Sequence, residues 1–373
     1  MGLAYLVRLS LAYVLLSSLG APQARAILGE RHSVITQKPK LCLHTRLTDE
    51  VYEWKIQHSL ELIRQMGAPT IVEFFPWAYY EPAPKRYDWT RPDLIMRHIR
   101  NQGLKVYARM GFVPAWARPA PDQQASSFNT LPPERYADFA EFTARFAERY
   151  ADVLAGIIIW NEPNLAFEWG YQVPEPRIYA QLLAEVSPRV RQRAPSVPIL
   201  GGALAPTLEP EGSPHGLNDL IYLEQLLELG AGQYMDALAV HTYGFDRSAQ
   251  DPPAPEQLNF RRVELLYELL SRYSDIPIVI TETGWNDDPR WIKAVSPASR
   301  IQYTLDSLHL GETWDWLEAQ CIWAFRFPTP VFAYPDHYTL ATTIFQLKPI
   351  YYALQDYAQG RESTGLPWLP APR

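Results

Sequence analysis

Residues 157–165 read Ile-Ile-Ile-Trp-Asn-Glu-Pro-Asn-Leu, directly after Gly156. Three successive β-branched apolar residues mark a strand buried on both faces, as in a parallel sheet. Pro163 has no amide hydrogen for a ladder and pushes Glu162 away from helical geometry, so the strand is expected to stop there. Residues 277–284, Pro-Ile-Val-Ile-Thr-Glu-Thr-Gly, repeat the arrangement and end on Glu282. A single strand-end glutamate reads equally well as a turn cap. Two of them, each costly to bury without a use, make a candidate carboxylate pair.

Working outward from these two strands, short apolar runs are expected to be strands at 41–44, 70–75, 104–110, 156–161, 199–203, 237–243, 278–283 and 320–325. Amphipathic stretches between and after them predict helices at 49–66, 93–101, 133–150, 176–193, 218–229, 256–273, 298–318 and 349–357. Gly67, Gly103 and Gly230 follow three of these stretches as stop signals. Eight strands alternating with eight helices predict an α/β fold, a single (β/α)₈ TIM barrel. A doubly wound open sheet is the alternative, but no glycine-rich phosphate turn follows the first strand. The long connections, 112–132, 204–217, 244–255 and 327–348, follow strands rather than helices. Extended βα loops of this kind rise from one rim of a barrel and wall a cleft.

The chain has 373 residues and 47% hydrophobic content, ample for one large core, and a net charge of −7 without a long basic run. That balance argues against nucleic acid or an anionic membrane as the main partner. At the N-terminus, Arg8 precedes an apolar run at 9–19, and Ala24-Arg25-Ala26 offers a small-x-small cleavage site. Residues 1–26 therefore read as a cleaved signal peptide and 27–373 as the mature domain, secreted or periplasmic. The apolar run is about half the ~20 residues a bilayer span needs, so no stable membrane insertion is expected after cleavage. Export permits disulfides, and the chain has two cysteines, Cys42 and Cys321, on the first and last strands. A bridge between them is conceivable. Adjacent parallel strands rarely offer the Cβ geometry a disulfide demands, which favours two buried thiols. The eight histidines are scattered and no Cys–His spacing repeats, so no metal and no cofactor are expected.

Placing every strand end on one rim gathers His44, Glu73, Trp77, Arg109, Asn161, Glu162, His241, Tyr243, Glu282, Trp285 and Trp323. The best-marked segments read WNEP at 160–163, VHTYG at 240–244 and ITETGW at 280–285. With these motifs the chain resembles the clan of retaining (β/α)₈ glycoside hydrolases, in particular its family 5-like and family 39-like members. The likeness extends to WAYYEPAPKRYDW at 77–89, GGALAP at 201–206 and LKPIYYAL at 347–354. WNEP and TETGW on the right strands are specific; the other segments are weak alone.

The resemblance implies hydrolysis of an O-glycosidic bond by double displacement, on an oligo- or polysaccharide, by a monomer. Glu162 matches the acid/base and Glu282 the nucleophile of such enzymes, and Asn161 the residue that binds the sugar 2-hydroxyl. Tyr243 matches the hydroxyl that keeps the nucleophile ionised, and Trp323 the aromatic floor beneath the sugar. His241, two residues before Tyr243, shares its inward face and reads equally as a substrate contact or a supporting histidine. His44 and Trp285 complete the substrate-binding candidates, although Trp77 and Trp285 taken singly fit loop packing better. Many clan members carry an arginine near the end of the second strand, where this chain reads TIVEFFPW. Either Arg109 supplies that charge from the third strand, or Glu73 is a third carboxylate in the cleft. A transglycosylase would use the same residues, and a non-catalytic carbohydrate-binding barrel would have lost a glutamate.

Overall fold

The computed structural model describes residues 28–119 and 127–361; the expected signal segment lies outside the described residues. Eight strands form one closed, all-parallel barrel in sequence order. They are β1 (Leu41–His44), β2 (Thr70–Pro76), β3 (Lys105–Gly111), β4 (Leu154–Ile159), β5 (Ile199–Leu204), β6 (Ala237–Tyr243), β7 (Ile278–Gly284) and β8 (Leu317–Ile322). Outside them run α1 (Glu53–Met66), α2 (Thr90–Asn101), α3 (Tyr136–Tyr150), α4 (Pro176–Arg193), α5 (Asp219–Glu228), α6 (Arg262–Leu270), α7 (Pro297–Glu312) and α8 (Pro349–Ala358). Among the described residues no helix is long and apolar enough to cross a membrane.

Two apolar layers hold the barrel. Its interior is filled by small and medium side chains, among them Val72, Ile158, Leu200, Ala239 and Val279, with Tyr107. The outer layer lies between strands and helices, and α1 shows how the sequence builds it. Ile56, Leu60 and Ile63 recur at helical spacing and are fully buried. Gly67 ends that helix at φ 101°, its amide reaching back to Ile63 and Arg64 at 3.3 and 3.0 Å. A Cβ there would lie 2.9 Å from Ala358 Cβ of α8, so the stop also permits close helix packing.

Several boundaries differ from expectation, among them β8 at Leu317–Ile322 rather than 320–325, and three of the shifts have an evident local reason. β4 ends at Ile159 because Trp160 takes a left-handed φ of 76°, before Pro163 can act. α6 starts at Arg262 because the preceding chain wraps the Arg262 guanidinium, which donates to Pro255 O and Asp219 Oδ1 at 2.8 Å each. α7 ends at Glu312, where Lys40 Nζ takes the carbonyls of Gly311 and Trp314 at 3.0 and 2.8 Å.

The expectation for the cysteines is corrected: Cys42 and Cys321 form a disulfide. They are paired residues on β1 and β8, their Cα atoms 4.1 Å apart, and both face the barrel interior. In a flat sheet neighbouring Cβ vectors run side by side. In a closed barrel, inward-facing side chains converge on the axis, which brings the two sulfurs together.

Candidate active site

At the carboxyl end of β4, Glu162 sits in a sharp reversal. Its own φ is 44° and that of Trp160 is 76°, conformations a side chain rarely adopts unless its surroundings demand them. Neighbouring backbone supplies that demand. Trp160 N–H donates to Met110 O at 3.0 Å, Glu162 N–H donates to Ala203 O at 3.0 Å, and the Trp160 indole donates to Glu168 O at 2.8 Å. Asn164, fully buried, clamps the turn to the β5 loop by exchanging bonds of 2.9 Å with Ala205.

Glu282 owes its aim to a bulge. Val240 pairs with Ile280, but His241 pairs with Glu282, so Thr281 is an extra residue in β7. Val279 faces the barrel interior, and simple alternation would turn Thr281 inward and Glu282 outward. The bulge reverses that parity and brings Glu282 level with His241.

The two glutamates face each other across His241, whose Nδ1 is 2.7 Å from Glu162 Oε1 and 3.7 Å from Glu282 Oε2. One ligand atom from each of the three lies within 4.8 Å of the others. Glu282 is the more buried and the more heavily bonded. Arg109 Nη1 donates to its Oε1 at 2.7 Å and Tyr243 OH to its Oε2 at 2.8 Å, with His44 Nε2 3.3 Å from Oε1. Arg109 Nη1 also donates to Asn161 Oδ1 at 2.7 Å.

Charge follows from these contacts. Burial alone would push the Glu282 carboxyl up, but His241, His44 and Arg109 together hold it well below the usual carboxylate range. Burial lowers His44 to about 4, leaving it neutral near pH 7. Burial also disfavours the imidazolium of His241, yet Glu282 and Glu162 outweigh it and raise the pKa. Burial and the Glu282 charge keep Tyr243 protonated, a permanent donor. Glu162, His241 and Glu282 are also close enough to share a cation, a position whose negative charge Arg109 and His241 already offset.

The structure brings Glu162, Glu282, Asn161, His241, Tyr243, Trp323, Arg109 and His44 together at the rim. It does not bring Glu73 there. Glu73 is fully buried beneath the β1 loop, accepting from Thr45 Oγ1 at 2.6 Å, Leu47 N at 2.8 Å and Thr48 N at 2.9 Å. Arg109, not Glu73, faces the glutamates. Trp285 is also corrected: it is buried against Gly244, its indole donating to Arg247 O at 2.7 Å. Trp77 packs among Trp116, Phe139 and Phe142.

The cleft has two lobes. The larger, about 550 Å³, holds both glutamates and is walled by Phe245, Trp291, Trp323, Tyr334 and Tyr338. The smaller, about 170 Å³, lies toward Phe74, Tyr79, Phe112 and Asn129. Arg46, Arg109, Asn161 and Glu168 line both. Sequence reasoning missed Glu168 and Arg46. Arg46 stands two residues after His44, a spacing that could have suggested it. Glu168 belongs to a single turn, Phe167–Trp169, with no motif around it. Burial first, then the charge of Glu162, raise the Glu168 carboxyl to about 7.

No protein-family model and no curated protein sequence matches this chain. Solved structures share its fold. A family 39 glycoside hydrolase from Bacteroides cellulosilyticus WH2 aligns over 88% of this chain and 65% of its own, with TM-score 0.67 and 19% identity. A monomeric β-xylosidase from Caulobacter crescentus CB15 aligns over 87% of this chain and 69% of its own, with TM-score 0.61 and 16% identity. An exo-β-1,4-mannosidase from Opitutaceae bacterium strain TAV5 covers 90% and 62%, with TM-score 0.59 and 16% identity. At these identities the likeness is one of fold, and this chain spans about two thirds of those proteins.

Proposed function

We propose that this protein is a retaining glycoside hydrolase, with Glu282 as nucleophile and Glu162 as acid/base. The observation that carries the reading is the facing pair, Glu162 in the turn after β4 and Glu282 on β7, with one oxygen of each within 4.8 Å and the two members differently held. Retaining enzymes set their carboxyl groups about 5–5.5 Å apart, whereas inverting ones leave about 6.5–9.5 Å for a water molecule. In the first step Glu282 attacks the anomeric carbon, the glycosidic C–O bond breaks, and Glu162 passes its proton to the departing oxygen. In the second, Glu162 takes a proton from water, whose oxygen displaces Glu282 from the anomeric carbon. Two inversions return the original configuration.

The supporting groups fit these roles. Arg109, Tyr243 and His44 surround Glu282 with donors or a neutral ring, which suits a carboxylate that must stay ionised. Asn161, held by Arg109, is placed to bind a hydroxyl beside the anomeric carbon, and Trp323 offers a ring face. Both glutamates are present, which disfavours a barrel that only binds carbohydrate. We also propose export, a reading supported by the Cys42–Cys321 bridge, since such bridges persist in oxidising compartments. N-terminal sequencing of the processed protein should begin at Ile27; retention of residues 1–26 would refute it.

A panel of aryl glycosides tests the activity and identifies the sugar. Glu282→Ala should abolish turnover of whichever substrate is cleaved, and azide should restore a slow reaction that yields the glycosyl azide of inverted configuration. Undiminished activity in that variant would remove Glu282 from the mechanism. Product analysis with an added sugar acceptor separates hydrolysis from transglycosylation.

A further inference from the structure

The wall of the larger lobe built by the loops after β6, β7 and β8 is aromatic from floor to rim. Trp323 meets Tyr338 at 5.2 Å between ring centroids, and Tyr338 meets Tyr243 at 5.5 Å. Phe245 continues this surface 6.3 Å from Tyr243 and 6.5 Å from Trp291. Trp291 in turn stacks on Tyr334, with centroids 5.6 Å apart and planes at 25°.

Beside these rings in the sequence stand exposed apolar side chains, and Lys293 Nζ lies over the Phe245 ring, 4.8 Å from its centroid. Ile292 is 93% exposed and Phe332 83%, with Val331 exposed beside it. These tips are braced. Buried Asn286 donates to Tyr334 O at 2.7 Å and accepts from Asp288 N at 2.8 Å. The amides of Val331 and Phe332 donate to Asp336 Oδ2 at 3.1 and 2.8 Å. Ile292 directly follows Trp291 and Phe332 stands two residues before Tyr334, so the exposed apolar side chains flank the stacked pair that lines the cleft, and apolar exposure grouped in this way marks a contact surface.

The opposite wall differs in kind. Arg46, Arg109, Asn161 and Glu168 present charged and amide groups, the partners a polyhydroxylated ring requires on its edges. A second sugar placed against Trp291 could stack there, but Ile292 and Phe332 offer its outer hydroxyls no hydrogen bond and leave them to water, so the sugar gains nothing from covering these side chains. A hydrocarbon chain does gain from covering them.

We infer that the leaving group of the substrate is apolar, an alkyl or aryl chain running from the glutamate pair along Trp291 and Tyr334 onto Ile292 and Phe332. This rests on the glycosidase reading: the sugar lies against the polar wall and above Glu282. When the anomeric C–O bond breaks, the proton of Glu162 goes to the oxygen of the departing alcohol or phenol.

Glycosyl fluorides carry no organic leaving group and so separate the two claims. A panel of them identifies the sugar, after which kcat/KM is measured for its methyl, butyl, hexyl and octyl glycosides below their micellar concentrations. Each methylene covered by this surface should raise kcat/KM ~2–4-fold. The double variant Ile292→Ser/Phe332→Ser should flatten the rise at the longer chains while leaving fluoride hydrolysis unchanged. Fluoride turnover with no dependence on chain length would overturn the inference and leave the glycosidase reading standing. So would an unaltered slope in the double variant, or a disaccharide cleaved better than the octyl glycoside. A sedimentation coefficient that falls in the double variant would assign the surface to a second copy of the chain, also overturning it. If no fluoride is hydrolysed, the glycosidase reading fails and this inference falls with it.

Discussion

Arg109 Nη1 is shared between Glu282 Oε1 and Asn161 Oδ1, 2.7 Å from each. It thereby ties the group proposed to attack the sugar to the group proposed to bind its neighbouring hydroxyl. The two glutamates consequently differ: Glu282 is enclosed by cations and donors, while Glu162 is bonded to His241 and open to the cleft. Glu162→Ala should therefore act selectively. Substrates with poor leaving groups should lose ~10²–10⁴-fold in kcat/KM, and activated aryl glycosides far less. Equal losses on both would give Glu162 another task. Glu168 invites a different test, because burial and the nearby Glu162 raise its carboxyl to about 7. A group whose folded-state pKa lies above its unfolded value adds stability below the unfolded value and loses it as pH rises through the folded one. For Glu168 the loss falls between about 4.5 and about 7. Glu168→Gln should match the wild type in thermal stability at pH 4.5 and exceed it by about 1–2 kcal/mol at pH 8, allowing for partial solvent screening. Equal stability at both values would show that the carboxyl is not strained by its site. Glu282 carries the opposite sign: its depressed pKa adds stability above the ordinary glutamate range, lost as pH falls through the folded value.

At the level of strands and loops, the site depends on irregularity. A bulge at Thr281 turns Glu282 inward, and a left-handed turn after β4 presents Glu162. Each irregular segment is backed by rigid packing. Behind the β6 loop, a Cβ on Gly244 would lie 1.8 Å from the Trp285 ring, an approach only glycine permits. Gly244→Ala must displace that indole and break its bond to Arg247 O, and should destabilise the fold by about 1–3 kcal/mol in denaturant titration. Because Tyr243 precedes Gly244 and holds Glu282, kcat should fall as well. A variant of native stability would mean that Trp285 has room to move.

For the molecule as a whole, the Cys42–Cys321 bridge joins the first and last strands across 279 residues, at the seam where the barrel closes. Cross-links over long segments restrict the unfolded chain most, with typical effects of 2–5 kcal/mol when a native bridge is lost. The double variant Cys42→Ser/Cys321→Ser should therefore melt at a lower temperature by about that stability. Addition of a reductant should lower the wild-type melting temperature toward the variant's without affecting the variant. A reductant-insensitive wild type would argue against the bridge.

Strand order, helix alternation and the strand-end positions of both glutamates were legible in the sequence, because they rest on local signals. Runs of β-branched residues, prolines and glycines act over a few neighbours, and their physics needs no partner strand. Which strand-end side chains face the axis was not legible. A strand buried on both faces carries no polarity to mark its inner side, so Glu73 and Arg109 read alike until neighbouring registers set the parity. Tyr107 faces in and Arg109 follows it two residues on, whereas Val72 faces in and Glu73 turns away. The bulge that rescues Glu282 is likewise a mismatch between two strands and has no signature in either one. The cysteine pairing depends on curvature, which only closure of the sheet creates. Glu168 and the apolar tips at Ile292 and Phe332 sit on loops whose courses are set by contacts between loops distant in sequence. What the sequence by itself determined was thus the order of the elements and the ends of the strands; inward facing, disulfide closure and the two unlike walls of the cleft were decided by tertiary structure, because each depends on segments that meet only when the barrel is closed.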